Sequence, residues 1–436
     1  MTPLKTRAAH IASAALALLA NLSRAEALTK QEAYQRLVSQ GPKWRLTQSL
    51  PEEAEAKFKE SRAKSRPLFQ LGVTQYAARI NPIQFGIDQP TYDTVGFGTT
   101  ALEMRWAVFD PVISFERLTS EAQLDISKGQ AKQYQTDLTA LMLIQYLTVQ
   151  KLKAQLQSVE ISLQRSSQIY KLAKTKRQVG AGIPLDVTRA RSLSELDRIK
   201  KLQLQTKYNK AVDDLALLLG QDSLTEDVEP LSFRPRPIAE LKVQLERAPE
   251  MRSDLLNAHA GVDAANKLRA AADSRFFPKL SLLGDVGSTR TTWLGLPAER
   301  ATGFLGVRLE IPLETGGLLD AKRQGAAALG MKALAQETQT RLEMQNQMKE
   351  ALEQIQAAQE ATLVAQEYVK SSEEEAQFVD RRFSIGSGNV LDILNSHNSL
   401  ANARDTEADA IFAYESAQVA LFRTVGSFDS YFSTTK

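Results

Sequence analysis

The chain has 436 residues, a formal net charge of +3, 43% apolar content and only 7% aromatics. That length allows two or three ordinary domains, yet so few aromatic residues are lean for compact cores of that size, which favours elongated packing. Cysteine is absent, which excludes a disulfide framework and lipid attachment at an N-terminal cysteine.

In chain order, residues 1–27 come first. Lys5 and Arg7 precede an apolar stretch from Ile11 to Ala20, with small residues at Ala25 and Ala27, the pattern of a cleaved secretory signal peptide. No later segment offers the run of about 18 apolar residues that a spanning helix needs. Any membrane crossing therefore has to be made by strands.

The chain repeats itself. Gly180-Ala-Gly-Ile-Pro-Leu-Asp186-Val187 stands opposite Gly386-Ser-Gly-Asn-Val-Leu-Asp392-Ile393, Trp106 to Asp110 opposite Ile311 to Thr315, and Ser65-Arg66 opposite Ser274-Arg275. Three anchors in one order mean duplication. The first repeat, 28–247, is expected to hold strands at about 68–78 and 99–110, a helical hairpin over 112–219 and an equatorial segment over 220–247. The second, 248–436, repeats this with strands at about 279–288 and 302–313, a hairpin over 317–426 and a short tail.

The strands are read from period-two alternation. Phe69, Leu71 and Val73 alternate with Gln70 and Thr74; Leu102, Met104, Trp106 and Val108 with Glu103, Arg105 and Ala107. In the second half Leu280, Leu282 and Val286 alternate with Ser281 and Asp285, and Leu305, Val307, Leu309 and Ile311 with Gly306, Arg308 and Glu310. Each run is about ten residues, the length of a tilted transmembrane strand. Glu103 and Arg105, mirrored by Arg308 and Glu310, suit a water-filled lumen; a half-buried sheet of a soluble domain is the alternative. Four strands cannot close a barrel, for which about eight are needed, so a barrel requires several copies.

Residues 112–179 and 317–384 contain no proline and show helical spacing, for example Leu152, Leu156, Val159 and Leu163. Such a helix reaches about 100 Å at 1.5 Å per residue. Return runs follow from Asp186 to Leu219, from Ala248 to Arg275 and from Asp392 to Gly426, with Leu28 to Ser65 completing the set although Pro42 and Pro51 should break it. At the turns Asp186 and Asp392 are natural N-caps; alternatively, symmetry would gather them as a carboxylate ring across a pore.

With these turn motifs, the segment Arg247-Ala-Pro-Glu-Met-Arg252, and the stretches Phe277 to Leu282 and Ile311 to Gly317, the chain resembles the TolC family of outer-membrane efflux channels over nearly all of its mature length. The resemblance implies a mainly α fold with a membrane β-barrel: a homotrimer with a 12-stranded barrel continuous with a periplasmic α-helical barrel. It also implies location in outer-membrane lipid extending into the periplasm, and an exit duct for efflux or type I secretion. Partners would be a periplasmic adaptor (membrane fusion protein) and an inner-membrane pump of RND, ABC or MFS type.

In the family, a tyrosine, an arginine and two aspartates of the second turn constrict the periplasmic entrance. Phe383, Gly388, Asp392 and Asn395 occupy the matching positions, so only Asp392 keeps its chemistry. The implied constriction is Asp186, Asp392, Asn395 and Phe383, and the implied adaptor-docking turns are Gly180, Ala181 and Gly182 with Gly386, Ser387 and Gly388.

Charge offers another means of closure. Residues 151–210 carry 14 Lys and Arg against 4 Asp and Glu, whereas 357–416 carry 4 against 11. Basic and acidic tips alternating around a ring would attract, within reach of salt screening; the alternative is two solvated faces. His10, His259 and His397 are isolated in sequence, and no phosphate loop, nucleophile elbow or metal motif is present. No enzyme, cofactor, metal or nucleic-acid partner is therefore expected. The competing function is a soluble periplasmic coiled-coil scaffold or adaptor without a pore.

Overall fold

The computed structural model describes residues 27–80, 93–180, 182–293, 296–313, 315–385 and 387–433; apart from residue 27, the expected signal peptide lies outside the described residues. The elements are α1 (Lys30–Gln40), α2 (Pro42–Ala63), β1 (Leu68–Ile80), β2 (Asp93–Phe109), α3 (Pro111–Gln178), α4 (Pro184–Leu219), α5 (Ile238–Glu246), α6 (Ala248–Met251), α7 (Ser253–Ser274), β3 (Lys279–Trp293), β4 (Leu296–Glu310), α8 (Leu318–Ser384), α9 (Val390–Val425) and α10 (Asp429–Ser433). The duplication is visible in lengths: α3 has 68 residues and α8 has 67, and α4 and α9 have 36 each. Both return helices stop at a left-handed glycine, Gly220 (φ 79°) and Gly426 (φ 85°), where a side chain would be strained.

Local chemistry sets the other ends. Thr29 and Glu32 form a capping box that opens α1, the Thr29 hydroxyl accepting from Glu32 N at 3.1 Å and Thr29 N donating to the Glu32 carboxylate at 3.0 Å. Asp110 accepts from Val112 N at 2.8 Å at the start of α3. The expected break at Pro42 falls between α1 and α2, but Pro51 sits inside α2 and the helix continues through it. The run from Ala248 is likewise interrupted at Arg252, whose extended ψ of 118° separates α6 from α7.

The chain divides into two compact units, each drawing on both repeats. The first comprises Met1–Gln48, Lys132–Ser253 and Leu342–Lys436. Its core is aromatic: Tyr146, Tyr414, Tyr431 and Phe422 are buried with Leu28, Leu37, Leu143, Leu215 and Leu219. Each buried phenol finds a polar partner, as burial demands. Tyr146 donates to the Leu28 carbonyl, the Tyr414 oxygen accepts from Arg236 N at 2.9 Å, and Tyr431 accepts from the Lys30 ammonium at 3.1 Å. Lys30 also pairs with Glu415 at 2.6 Å.

The second unit comprises Ser49–Ala131 and Asp254–Arg341. Its sheet has the order β1-β2-β3-β4 with every pair antiparallel, so the repeats are joined by β2 against β3. On its helical segments the buried apolar positions are almost all alanines, among them Ala54, Ala122, Ala131, Ala265, Ala271, Ala272 and Ala326, which lets backbones approach closely. The strands run to 13, 17, 15 and 15 residues, longer than the alternating runs suggested. Glycine, threonine and serine extend them where no apolar alternation marks the sequence. β4 ends at Glu310 rather than 313, because Pro312 has no N–H to continue a ladder.

Candidate functional site

Two features have functional geometry, the sheet and the hairpin tips. In the sheet, Phe69, Met104, Gly284 and Leu305 form one cross-strand row, and Leu71, Leu102, Val286 and Gly303 the next. Trp106, Leu282 and Val307 form another row on the same face, since side chains alternate along each strand. This face is apolar yet open: Leu71 and Val73 are each 70% exposed and Leu305 73%. From Leu309 to the row of Val73 and Ala301 the band runs about 26 Å along the strands at 3.3 Å per residue, or about 20 Å in height at the tilt of barrel strands, on the order of a lipid-facing belt. It stops at a charged row where Arg290 pairs with Glu299 at 3.2 Å.

The opposite face carries Gln70, Glu103, Arg105, Asp285, Arg308 and Glu310, with Glu103 bound by Arg105 at 3.1 Å and by the Gln70 amide at 3.2 Å. β1 and β4 are the edges of the sheet. In this up-down order they run in opposite directions, so β4 of one copy can pair antiparallel with β1 of another.

At the tips, the turn glycines serve the backbone. Gly180 has φ 78° with open space where a side chain would stand. Gly182 and Gly388 are held by close approach: a Cβ would lie 2.9 Å from Arg177 N in the first and 2.8 Å from both Phe383 Cα and N in the second. Ala181 and Gly386 lie outside the described residues. Ser387 folds back on Arg382, its hydroxyl and N–H donating to that carbonyl at 3.1 and 3.0 Å.

The caps differ from expectation. Ile183 and Asn389 are the N-cap residues, Asn389 accepting from Leu391 N at 3.0 Å, and Asp186 and Asp392 lie in the first turn. Pro184 explains the shift in the first turn, because proline favours the first helical position, and Asn389, itself a preferred capping residue, explains it in the second. The carboxylates still face the positive helix end. Asp186 is half-buried, whereas Asp392 and Asn395 are exposed. Phe383 is 8% exposed, packed among Ile169, Ala173, Ala190, Val390, Ile393 and Leu394, with the Lys176 ammonium 3.8 Å from its ring centroid.

Above this cluster a polar rung crosses the helices. Asp197 of α4, 3% exposed, accepts from Ser162 of α3 at 3.0 Å. Arg165 of α3 lies 3.4 Å from His397 Nδ1 on α9, and His397 Nε2 lies 2.9 Å from Asp380 of α8. A guanidinium only donates, so Nδ1 accepts and the ring proton sits on Nε2, directed at Asp380. A second rung repeats the order with Lys201–Glu160 at 2.8 Å, Lys151–Asp409 at 3.2 Å and Arg404–Glu373 at 2.7 Å. Sequence reasoning treated His397 as isolated because its partners stand 232 and 17 residues away. Among the described residues no group of three or more His, Asp or Glu is placed to hold a metal, and no helix is long and apolar enough to cross a membrane.

Long helical hairpins joined to a short antiparallel sheet of this kind are the fold of known outer-membrane channels. The outer membrane protein VceC of Vibrio cholerae superposes with a TM-score of 0.76 over 91% of this chain and 96% of that one, at 18% identity. The CmeC outer membrane channel of Campylobacter jejuni gives 0.77 over 93% and 88%, at 15% identity. The chain belongs to the outer membrane efflux protein family, whose model matches residues 48–221 and 245–427. Relatives include the toluene efflux pump outer membrane protein TtgC of Pseudomonas putida, 25% identical over 313 residues, 71% of this chain and 65% of that protein. The cation efflux system protein CusC of Escherichia coli K12 is 24% identical over 287 residues, 64% of this chain and 62% of that protein. The chain thus matches somewhat less than two thirds of these relatives' length.

Proposed function

We propose that the protein is the outer-membrane exit channel of a tripartite efflux system, conducting cargo passively from the periplasm to the exterior. The observation that carries this reading is the sheet: an exposed apolar band on one face, charged side chains on the other, and two edges of opposite direction. Closing β4 on the β1 of the next copy buries both edges and turns the apolar band outward to lipid. Three copies give a homotrimer with a barrel of 12 strands, each repeat, 28–247 and 248–436, supplying two strands and one hairpin. Residues 1–27 direct export and are then cleaved off, and the mature chain carries no lipid.

The hairpins line a periplasmic helical barrel whose narrow end is formed by Asp186, Asp392 and Asn395, with Phe383 as the packing that holds the second turn. A periplasmic adaptor docks at Gly180, Ala181 and Gly182 and at Gly386, Ser387 and Gly388, and an inner-membrane pump supplies the energy. The relatives' names cite cargoes as different as toluene, pyoverdine and cations, which fits a duct whose cargo is set by its pump. The names favour efflux over type I secretion, and the lipid-height apolar face speaks against a soluble scaffold.

The test is extraction and conductance. Membranes washed with carbonate should retain the protein, detergent should release a trimer, and the trimer should open discrete steps in planar bilayers. Release by carbonate as a monomer without conductance would refute the channel.

A further inference from the structure

We propose that neighbouring copies recognise one another through a charge-matched helical seam, the acidic outward face of α8 receiving the basic outward face of α4 from the next copy. The proposal rests on the oligomeric channel reading and adds to it which faces meet and what selects them.

Burial identifies the two faces. Within the first unit α3 and α9 are packed on two sides, whereas α4 and α8 each bury a single stripe. On the far side of α8, Ala361, Val364, Tyr368, Ser371, Glu375 and Phe378 are all exposed and step by three and four, the spacing of a coiled-coil seam. On the far side of α4, Ser192, Leu196, Ile199, Gln203, Thr206 and Lys210 do the same. Phe378 is 59% exposed and Ile199 52%, so each helix presents a second stripe of mixed polarity, apolar at Val364, Tyr368 and Phe378 on α8 and at Leu196 and Ile199 on α4, that stands open among the described residues.

Charge selects the occupant. The α8 stripe contains exposed Glu375 and is flanked by exposed Glu367 and Glu374 against one exposed Lys370, and the α4 stripe is flanked by exposed Arg198 and Lys207, with Lys210 at its end, against one exposed Glu195. Among the described residues, Glu367 is the one of these α8 glutamates and α4 cations with an ion-pair partner, Lys370 at 3.7 Å. The two sets stand at similar heights, because the rung from Asp197 through Ser162, Arg165 and His397 to Asp380, with its three-residue step along α3, places Ile199 within about one helical turn of the height of Phe378. Like faces repel, so α4 cannot pair with α4 nor α8 with α8. The attractive contact is head-to-tail, the kind that closes rings by rotation. A channel subunit of another kind, lacking this pattern, would be rejected, as flanking charges do in coiled coils.

The test uses charge reversal in the full chain. Arg198→Glu, Lys207→Glu and Lys210→Glu together, or Glu367→Lys, Glu374→Lys and Glu375→Lys together, should each lower the detergent-stable oligomer at least tenfold. All six together should restore it to within twofold. Co-expressed with differently tagged wild type, the six-fold variant should self-sort, with mixed oligomers below a tenth of the statistical amount. Free mixing overturns the seam and leaves the channel standing; a conducting oligomer is the separate readout for the channel itself. Should the reversed chains misfold, the cysteine-free sequence allows Ile199→Cys with Phe378→Cys. Oxidation should then give covalent ladders between copies, and monomers alone would overturn the proposal.

Discussion

Gly388 and Gly180 serve different constraints within one repeated motif. At Gly388 the space for a Cβ is occupied by the backbone of Phe383, so Gly388→Ala must displace the end of α8 and should cost about 1–3 kcal/mol, as overpacking does. At Gly180 the cost comes from the positive φ alone and should be about 1 kcal/mol. Urea unfolding of the two variants should rank them in that order. Asp405 on α9 makes a third prediction. Its Oδ1 is buried without a hydrogen-bond partner among the described residues, and burial raises its carboxyl pKa, aided by Asp409 and opposed by Lys200. A carboxyl raised in the folded state favours folding below its unfolded value and loses that contribution as pH rises through the folded one. Asp405→Asn should therefore stabilise the protein at neutral pH, by an amount that solvent screening of this partly exposed group keeps small, and flatten its stability profile above about pH 4. Much at this scale was illegible in the sequence. The turn glycines and the Leu-Asp pairs announced themselves by repetition, but which residue capped each helix depended on Pro184 and Asn389. The Asp197 and His397 contacts joined positions with no local pattern at all.

Elements were more legible, because periodicity is a property of runs. The alternation around Leu71, Leu102, Leu282 and Leu305 marked all four strands, and missed only the glycine- and threonine-rich portions that carry them further. On the apolar face, Leu305→Arg should cost about 2–4 kcal/mol if it lies near the bilayer midplane and deplete the folded outer-membrane form; Gln70→Arg on the opposite face should leave the yield intact. The aromatic core bridging α1, α3, α9 and α10 predicts an alkaline transition. Burial raises Tyr146, Tyr414 and Tyr431. Burial alone would lower Lys30, but Tyr431 and Glu415 outweigh it and leave it raised. All four contributions are present below the unfolded values near pH 10 and fade as pH climbs through the folded ones. Near-UV circular dichroism should hold steady to about pH 10 and then collapse, with Tyr431→Phe reducing the steepness.

For the whole molecule, the duplication was the most informative feature of the sequence, since it fixed the number of strands and hairpins before any contact was known. The pairing of acidic and basic hairpins was visible only as a sum of charges. Its division into faces required burial, because Lys151 and Arg404 are already spent on Asp409 and Glu373 within the chain. If the remaining charges hold the narrow end, conductance divided by bulk conductivity should rise between 0.05 and 1 M salt, roughly where the Debye length falls through the size of one helix. A flat ratio would leave closure to packing around Phe383.

The pairing of β2 with β3 also has a consequence for biogenesis. Gly96 is matched to Thr292, roughly two hundred residues later, and closing so long a loop is slow relative to forming either hairpin. On the proposed export route, while the second half is still being exported, the first hairpin waits in the periplasm with one apolar face and two bare edges. The interval between the emergence of β2 and of β3 is thus when this chain is most in need of a holding chaperone, and slowing export should increase aggregation of the first half before it harms the second.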